Sequence, residues 1–218
     1  RINSDDTLQF EDRDASGGTS DGRRQTTAKL RDTTNWYHIM LVLDSTQANE
    51  ADRAKIYING EQVTAFAATR SISQNYAFSF NRSSANNYIG NLSGSSEFFD
   101  GYLAEINFID GIALDASYFG YTEFQTGIWR PKRYVGSYNN NGFHLEFKDN
   151  TNNAALGLDT SGQGNNFTPA NISSSHDNLP DSPTNNFATF NTQAGYGGNG
   201  QTFDNGNLRI IAGGSGNG

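Results

Sequence analysis

Chemistry in this 218-residue chain must come from carboxylates, from three histidines, or from tyrosines set among asparagines, because there is no cysteine. Without a thiol there is no thiolate nucleophile, no thiolate metal site and no disulfide. The acids gather in two clusters, Glu11, Asp12 and Asp14, and Glu97 with Asp100. Glycoside cleavage with retention needs two carboxyl groups about 5 Å apart, which a strand supplies by alternation in a Glu-x-Asp-x-x-Glu pattern. Neither cluster has that spacing. His38, His144 and His176 lie far apart, in no serine-containing context that would make a triad. His38 falls inside the most apolar segment, where it reads as a packed, hydrogen-bonded side chain and not as a general base. The chain is accordingly expected to be non-enzymatic.

Binding chemistry has better candidates. The stretch Tyr134-Val-Gly-Ser-Tyr138-Asn139-Asn140-Asn141 combines rings on which a sugar face can stack with amides that can bond its hydroxyls. Trp129 and Tyr88 add two further rings. Tyr134, Tyr138, Asn139, Asn140 and Trp129 are therefore the candidate carbohydrate-binding residues, while a plainer role for Trp129 and Tyr134 is to anchor a long loop onto the body of the fold. Asn81, Asn91, Asn166 and Asn171 each open an Asn-x-Ser/Thr triplet, but such triplets arise freely in a chain this rich in Asn and Ser.

The formal charge of −8 and the scatter of the 15 basic residues argue against nucleic acid as a partner, since phosphate binding is built from clustered Lys and Arg. No apolar stretch approaches the roughly 20 residues that cross a bilayer, and the N-terminus has no charged-then-apolar leader pattern, so a soluble protein with no membrane insertion is expected. Only 34% of residues are in the apolar set while 12% are aromatic, and Gly contributes 24. That balance suits short strands joined by long polar loops, with rings supplying much of the burial, and it is wrong for a helical bundle.

These residues need strands to position them. Thr7 to Phe10 predicts a short strand, and Asp12 to Gly22 a loop. Trp36-Tyr-His-Ile-Met-Leu-Val-Leu43 is apolar on both parities and predicts a central strand covered on both faces. Lys55-Ile-Tyr-Ile-Asn-Gly60 predicts a strand ending in an Asn-Gly turn, with Glu61 to Phe66 returning. Tyr88 to Gly90 and Phe98 to Ile109 predict two more, the second turning at Asp110-Gly111. Ala116 to Phe124 is the one place for a helical turn. Gly142 to Phe147 predicts a strand with Phe143, Leu145 and Phe147 inward and His144 and Glu146 outward. Asp149 to Asn186 reads as ordered loop, and Leu208 to Ile211 as a strand within Gly-rich sequence.

The order Trp36-Tyr-His-Ile, Lys55-Ile-Tyr-Ile-Asn-Gly60, Tyr88-Ile-Gly90, Phe99-Asp-Gly-Tyr-Leu-Ala-Glu-Ile106 and Gly111-Ile-Ala-Leu114 resembles the second half of a laminin-G-like, concanavalin A-like lectin domain, over roughly Thr7 to Phe119. The opening strands of such a domain would precede Arg1. More narrowly, Phe99 to Gly111, Gly127-Ile-Trp-Arg-Pro-Lys-Arg-Tyr134, Asn141 to Phe147, Asp159 to Thr168 and Asp181 to Ala188 resemble long structural proteins of marine phages. In those proteins a SPRY-like domain often follows, and Phe203 to Ile210 looks like its first strand.

The resemblance implies an all-β, antiparallel jelly-roll sandwich with a loop-rich C-terminal extension. Expected boundaries are 1–148 for the sandwich, 149–194 for the extension, and 195–218 for a linker with the first strand of a following domain. It implies a virion protein such as a tail fibre, spike or capsid-surface fibre, lying on the virion surface outside the cell. Its partners would be a host-surface glycan or envelope component and other virion subunits, in a homo-oligomer such as a trimer. A decoration or spacer domain, or a polysaccharide depolymerase, are the rival roles. Lectin folds of this kind often hold Ca2+ at a loop rim through Asp or Asn oxygens, and Asp100, Asp110 and Asp44, at ends of predicted strands, are the candidate ligands. Turn formation explains the same three residues.

Overall fold

The structure, a computed structural model, describes residues 1–12, 22–81, 86–92, 94, 96–175, 177–185, 202–204 and 209–211. Asp14, His176, most of the Asp12 to Gly22 loop and the Gly-rich stretches around 195–200 and 212–218 lie outside the described residues. In chain order the strands are β1 (Thr7–Asp12), β2 (Gly22–Lys29), β3 (Ile39–Leu43), β4 (Ala54–Ile58), β5 (Glu61–Gln62), β6 (Phe66–Arg70), β7 (Ile106–Phe108), β8 (Gly120–Thr122), β9 (Trp129–Pro131), β10 (Phe143–Leu145), β11 (Thr202–Asp204) and β12 (Arg209–Ile211). The only helical pieces among the described residues are 3-10 turns at Glu50–Asp52, Ala116–Tyr118 and Asn153–Gly157. Every strand pairing among the described residues is antiparallel. The protein is thus all-β, as the composition requires. It divides into two compact units, Arg1–Thr33 with Tyr37–Leu103 and Gly111–Ser137, and Thr34–Trp36 with Ala104–Asp110 and Tyr138–Gly218.

The first unit contains two three-stranded sheets, β1-β2-β6 and β3-β4-β5, and the hairpin β8-β9. Leu8 and Phe10 of β1 meet Ala54 and Ile56 of β4, with Ile72, in one buried cluster, so the two sheets pack face to face as a sandwich. Alternation puts Arg24 and Thr26 on the inner side of β2, where both are buried. Thr26 mends the ladder at the bulge between β1 and β2, its hydroxyl accepting from Leu8 N–H at 3.0 Å and donating to the Ala28 carbonyl at 2.7 Å. The Arg24 guanidinium donates to a Glu50 carboxylate oxygen at 2.6 Å and to the carbonyls of Arg23 and Arg70. Burial of Glu50 opposes its ionisation most, but the Arg24 bond, the Ile72 N–H and the nearby Arg charges together hold its carboxyl below the usual range.

Several strands differ from the sequence reading. β2 carries no apolar alternation, because its inward residues include polar Arg24 and Thr26, so periodicity does not reveal it. Glu61 to Phe66 is not one returning strand: β5 ends at Gln62, and Phe66 opens β6 in the other sheet. β3 is an edge strand with Ile39 and Leu41 partly exposed, and so is not covered on both faces. Tyr88 to Gly90 forms no strand. Phe98 to Ile109 yields only β7, because Glu105 takes a left-handed backbone conformation (φ 54°) that ends extended pairing there.

The second unit pairs β7 with β10, placing Phe143 opposite Phe108 with rings stacked at 5.4 Å. Leu145 and His144 are both buried, so His144 points into the unit and not outward. Its Nε2 lies 2.8 Å from Glu105 Oε2 and its Nδ1 2.8 Å from the Thr160 hydroxyl, and these two bonds, with the Tyr138 ring stacked over it, explain a buried imidazole where simple alternation predicts an exposed one. Loops 149–175 are ordered largely by side-chain-to-backbone bonds. Asp159 is the chief knot, accepting from His144 N–H, Ser161 N–H and Oγ, and Asn165 N–H. β11 pairs β12, which bears out the strand expected near Ile211.

Candidate functional site

The β8-β9 hairpin of the first unit positions the best candidate. Asp115 caps the 3-10 turn before it, its carboxylate accepting from Ser117 N–H at 2.8 Å and from the Ser117 hydroxyl. Phe119 turns inward and stacks on Tyr134 at 5.2 Å. Gly120 lies where a Cβ would meet the Trp129 ring at 2.4 Å and the Arg130 carbonyl at 2.5 Å, so the strand crosses close under the indole. After β9 the Lys132 N–H donates to the Phe119 carbonyl at 2.8 Å, and the Tyr134 hydroxyl donates to the Ser137 carbonyl at 3.1 Å. With Tyr134 folded in, Lys132, Arg133 and Val135 are left facing solvent.

These side chains line an open cleft of about 400 Å3, formed by Ser117, Tyr118, Lys132, Arg133, Tyr134, Val135 and Gly136. Tyr118 is 48% exposed and can offer a ring face. Burial, reinforced by neighbouring Tyr118, pushes the Tyr134 phenol above its ordinary range, so it stays a neutral hydrogen-bonding group at neutral pH. Sequence reasoning did not single out Ser117, Tyr118, Lys132 or Arg133. The legible signal was the close run Arg130, Lys132, Arg133 in a chain of net charge −8.

The carbohydrate candidates are placed differently from one another. Tyr134 and Trp129 belong to an aromatic cluster of the first unit, with His38 5.3 Å from Trp129 and 6.5 Å from Phe119. Tyr134 is 7% exposed, so its ring anchors the segment and offers a ligand only its edge on the cleft. Trp129 lies over the Asn59-Gly60 turn, where a Cβ on Gly60 would meet the ring at 2.2 Å. The anchoring role read for these two is the one their packing serves. His38 is packed as expected, but its Nδ1 has no hydrogen-bond partner among the described residues, and burial lowers its pKa. Tyr138, Asn139 and Asn140 fall in the second unit. Tyr138 is 8% exposed, stacked on His144, and donates to Asn107 Oδ1 at 2.6 Å. Asn139 (φ 55°) donates to the Asp110 carbonyl, while Asn140 is exposed and its carbonyl accepts from Asn165 Nδ2.

Because Gly60 has φ +81° and no room for a Cβ beneath Trp129, Gly60→Ala should destabilise the protein by about 3 kcal/mol or more, through left-handed strain plus overpacking. Thermal unfolding followed by tryptophan fluorescence checks this; an unchanged midpoint would show that the indole does not rest on the turn.

The candidate calcium ligands fall in different units, Asp44 and Asp100 in the first and Asp110 in the second. Asp44 closes an Asx turn, with the Thr46 hydroxyl, Gln47 Nε2 and Thr46 N–H on its carboxylate, and these bonds, the Thr46 hydroxyl first, lower its pKa. Asp110 Oδ2 accepts from Asn141 Nδ2 at 2.8 Å, and Asp100 stands apart and exposed. Among the described residues no three His, Cys, Asp or Glu side chains gather as a metal site. Of the two acid clusters, buried Asp12 holds Ser79 N–H and its hydroxyl, and Glu97 pairs with Arg1 at 3.2 Å.

Compared with known proteins, residues 1–117 match the family model of the concanavalin A-like lectin/glucanases superfamily, in its laminin-G form. No curated protein and no solved structure matches the chain. All of the cleft except Ser117 lies beyond the matched residues.

Proposed function

The chain belongs to the concanavalin A-like lectin/glucanases superfamily, and from that premise we propose that it is a non-enzymatic carbohydrate-recognition module, carried on a virion surface as in a phage tail fibre or spike. The observation that carries the reading is the open cleft beside the β8-β9 hairpin, where the half-exposed Tyr118 ring stands with the Ser117 hydroxyl, Lys132 and Arg133. A ring face with polar partners at its edge is what a sugar needs, apolar on one side and bonded at its hydroxyls. The non-catalytic part of the reading is supported by the fate of the acids, since Asp12 and Glu97 are committed to structural bonds. The virion part rests on the resemblance of residues 99–188 to phage structural proteins. A single shallow site binds weakly, and a homo-oligomer presenting several copies raises avidity by orders of magnitude.

The test is retention of the full chain, coupled in many copies to beads, on arrays of bacterial envelope polysaccharides. Binding is expected, with about tenfold loss on Tyr118→Ala. Failure to retain any envelope glycan sinks the reading, and release of reducing ends from a bound polysaccharide replaces it with a depolymerase. A second reading, a decoration or spacer domain packed on neighbouring virion subunits, is favoured by Phe124, which is fully exposed at the hairpin tip.

A further inference from the structure

We infer that the cleft beside the β8-β9 hairpin recognises an oxyanion carried on a sugar, so that the ligand is an acidic saccharide and not a neutral one. This rests on the carbohydrate-binding reading and names the substrate class within it.

The first ground is unspent charge. Lys132 and Arg133 are consecutive, exposed, and line the same cleft, and neither side chain makes a hydrogen bond or ion pair among the described residues. Four other cations of the first unit are paired with carboxylates, Arg24 with Glu50, Arg31 with Asp6, Lys55 with Asp52 and Arg1 with Glu97. Arg53 is held by three backbone carbonyls, while Lys29 stands without an adjacent second cation. Arg130, the third cation of the same run, is drawn off by Glu123 at 3.1 Å, and Glu123 is itself held by Thr126. In a chain of net charge −8, a pair of adjacent cations left without carboxylate partners is a local reversal of the protein's own field.

The second ground is that the pair is held in place by its backbone. The Lys132 N–H is bonded to the Phe119 carbonyl, and Tyr134 is locked by its stack on Phe119 and its bond to Ser137. The Tyr134 ring lies over Gly136, where a Cβ would meet the phenol oxygen at 2.2 Å. Lys132 and Arg133 therefore project from a fixed segment, and less ordering remains to be done on binding. The third ground is the rest of the lining. Tyr118 supplies a ring and a hydroxyl for the sugar body, the Ser117 and Tyr134 oxygens, whose protons go to Asp115 and to the Ser137 carbonyl, are left as acceptors, and the acid nearest in sequence, Asp115, is occupied by Ser117. A guanidinium beside an ammonium matches a carboxylate, sulfate or phosphate oxygen set, the first as a fork and the second as a point charge.

The experiment measures binding of the full chain, by biolayer interferometry, to dextran, dextran sulfate, polygalacturonate and a phosphorylated mannan. Retention of at least one acidic polymer over dextran is expected, and which one binds identifies the source of the oxyanion. Lys132→Ser with Arg133→Ser should weaken that binding about 30-fold, two charge-assisted contacts at roughly 1 kcal/mol each. Lys132→Arg should retain it within about threefold. Lys148→Ser, which removes a cation of the second unit, controls for net charge and should change binding less than twofold. Dextran bound as well as the acidic polymers, with no response to the double variant, overturns the acidic-ligand inference and leaves the carbohydrate reading standing. No polymer or envelope glycan bound overturns both. Equal losses in the double variant and in Lys148→Ser also overturn the inference, because they reduce the effect to overall charge.

Discussion

Glu50→Ala is expected to cost about 2–3 kcal/mol and to lower the melting midpoint by roughly 5–10 °C at neutral pH. The Arg24 side chain is 4% exposed, and Glu50 is its one carboxylate partner among the described residues. Removing the partner leaves a guanidinium buried between sheets with carbonyls alone to neutralise it. The figure sits at the low end for orphaning a buried charge because the Glu50 side chain is 40% exposed, so water can replace part of the loss. The pH dependence has a definite sign. A carboxyl whose folded pKa is depressed gives its full contribution above the ordinary value of 4.5 and loses it as pH falls through the lower folded value. Wild type and variant should therefore differ clearly at pH 7 and draw together as pH falls below 4.5. A double change, Arg24→Met with Glu50→Leu, should cost less than Glu50→Ala alone, since no unpaired charge remains. Urea titrations at a series of pH values from 7 downward decide the matter; a difference that does not narrow at any pH at which the protein stays folded would assign the effect to packing.

Asp159→Ala has the other large effect, expected at about 3 kcal/mol, felt in the second unit. One carboxylate accepts four bonds there, from His144 N–H at 2.8 Å and from Ser161 N–H, Ser161 Oγ and Asn165 N–H at 2.9 Å each. Burial resists the charge most, yet the three backbone N–H groups and the serine hydroxyl outweigh it and lower the pKa, so the knot loosens as pH falls below the ordinary carboxylate range. Asparagine keeps one acceptor oxygen, and Asp159→Asn should cost roughly half as much. Amide hydrogen exchange is the direct measurement. Protection at His144, Ser161 and Asn165 should fall together in the alanine variant while β4 amides of the first unit keep theirs. Uniform loss across both units would mean that the loop is not an independent knot.

Strands with apolar inward positions were legible from sequence. β3 and β4 announce themselves by β-branched and long aliphatic residues, and Asn59-Gly60 marks the turn between β4 and β5 through its need for positive φ. β2 was not legible, because a strand whose inward groups include Arg24 and Thr26 has no hydrophobic period to detect. The same limit governs the site. Tyr134 and Tyr138 stand among Gly, Ser and Asn, and polarity of the neighbours reads as exposure, yet both rings fold inward onto Phe119 and His144. Alternation states which residues share a face. It does not state which face is covered, and in a loop it states neither. Lys132 and Arg133 were overlooked for a related reason: two cations on a surface are ordinary until their counter-ions are looked for in three dimensions.

The strand order of the first unit also bears on how the chain reaches its native state. β2 pairs with β6, joining Arg23 to Arg70, and the whole β3-β4-β5 meander is enclosed by that pairing. The meander closes through a two-residue turn between β4 and β5 and a ten-residue connection between β3 and β4, whereas the outer ladder must first gather the whole segment between β2 and β6, at an entropic cost that grows with its length. Compaction of the meander shortens that effective loop, so early closure of the Asn59-Gly60 turn is expected to hasten pairing of the outer sheet. Substitutions that weaken it should slow refolding, while those in β6 should chiefly speed unwinding.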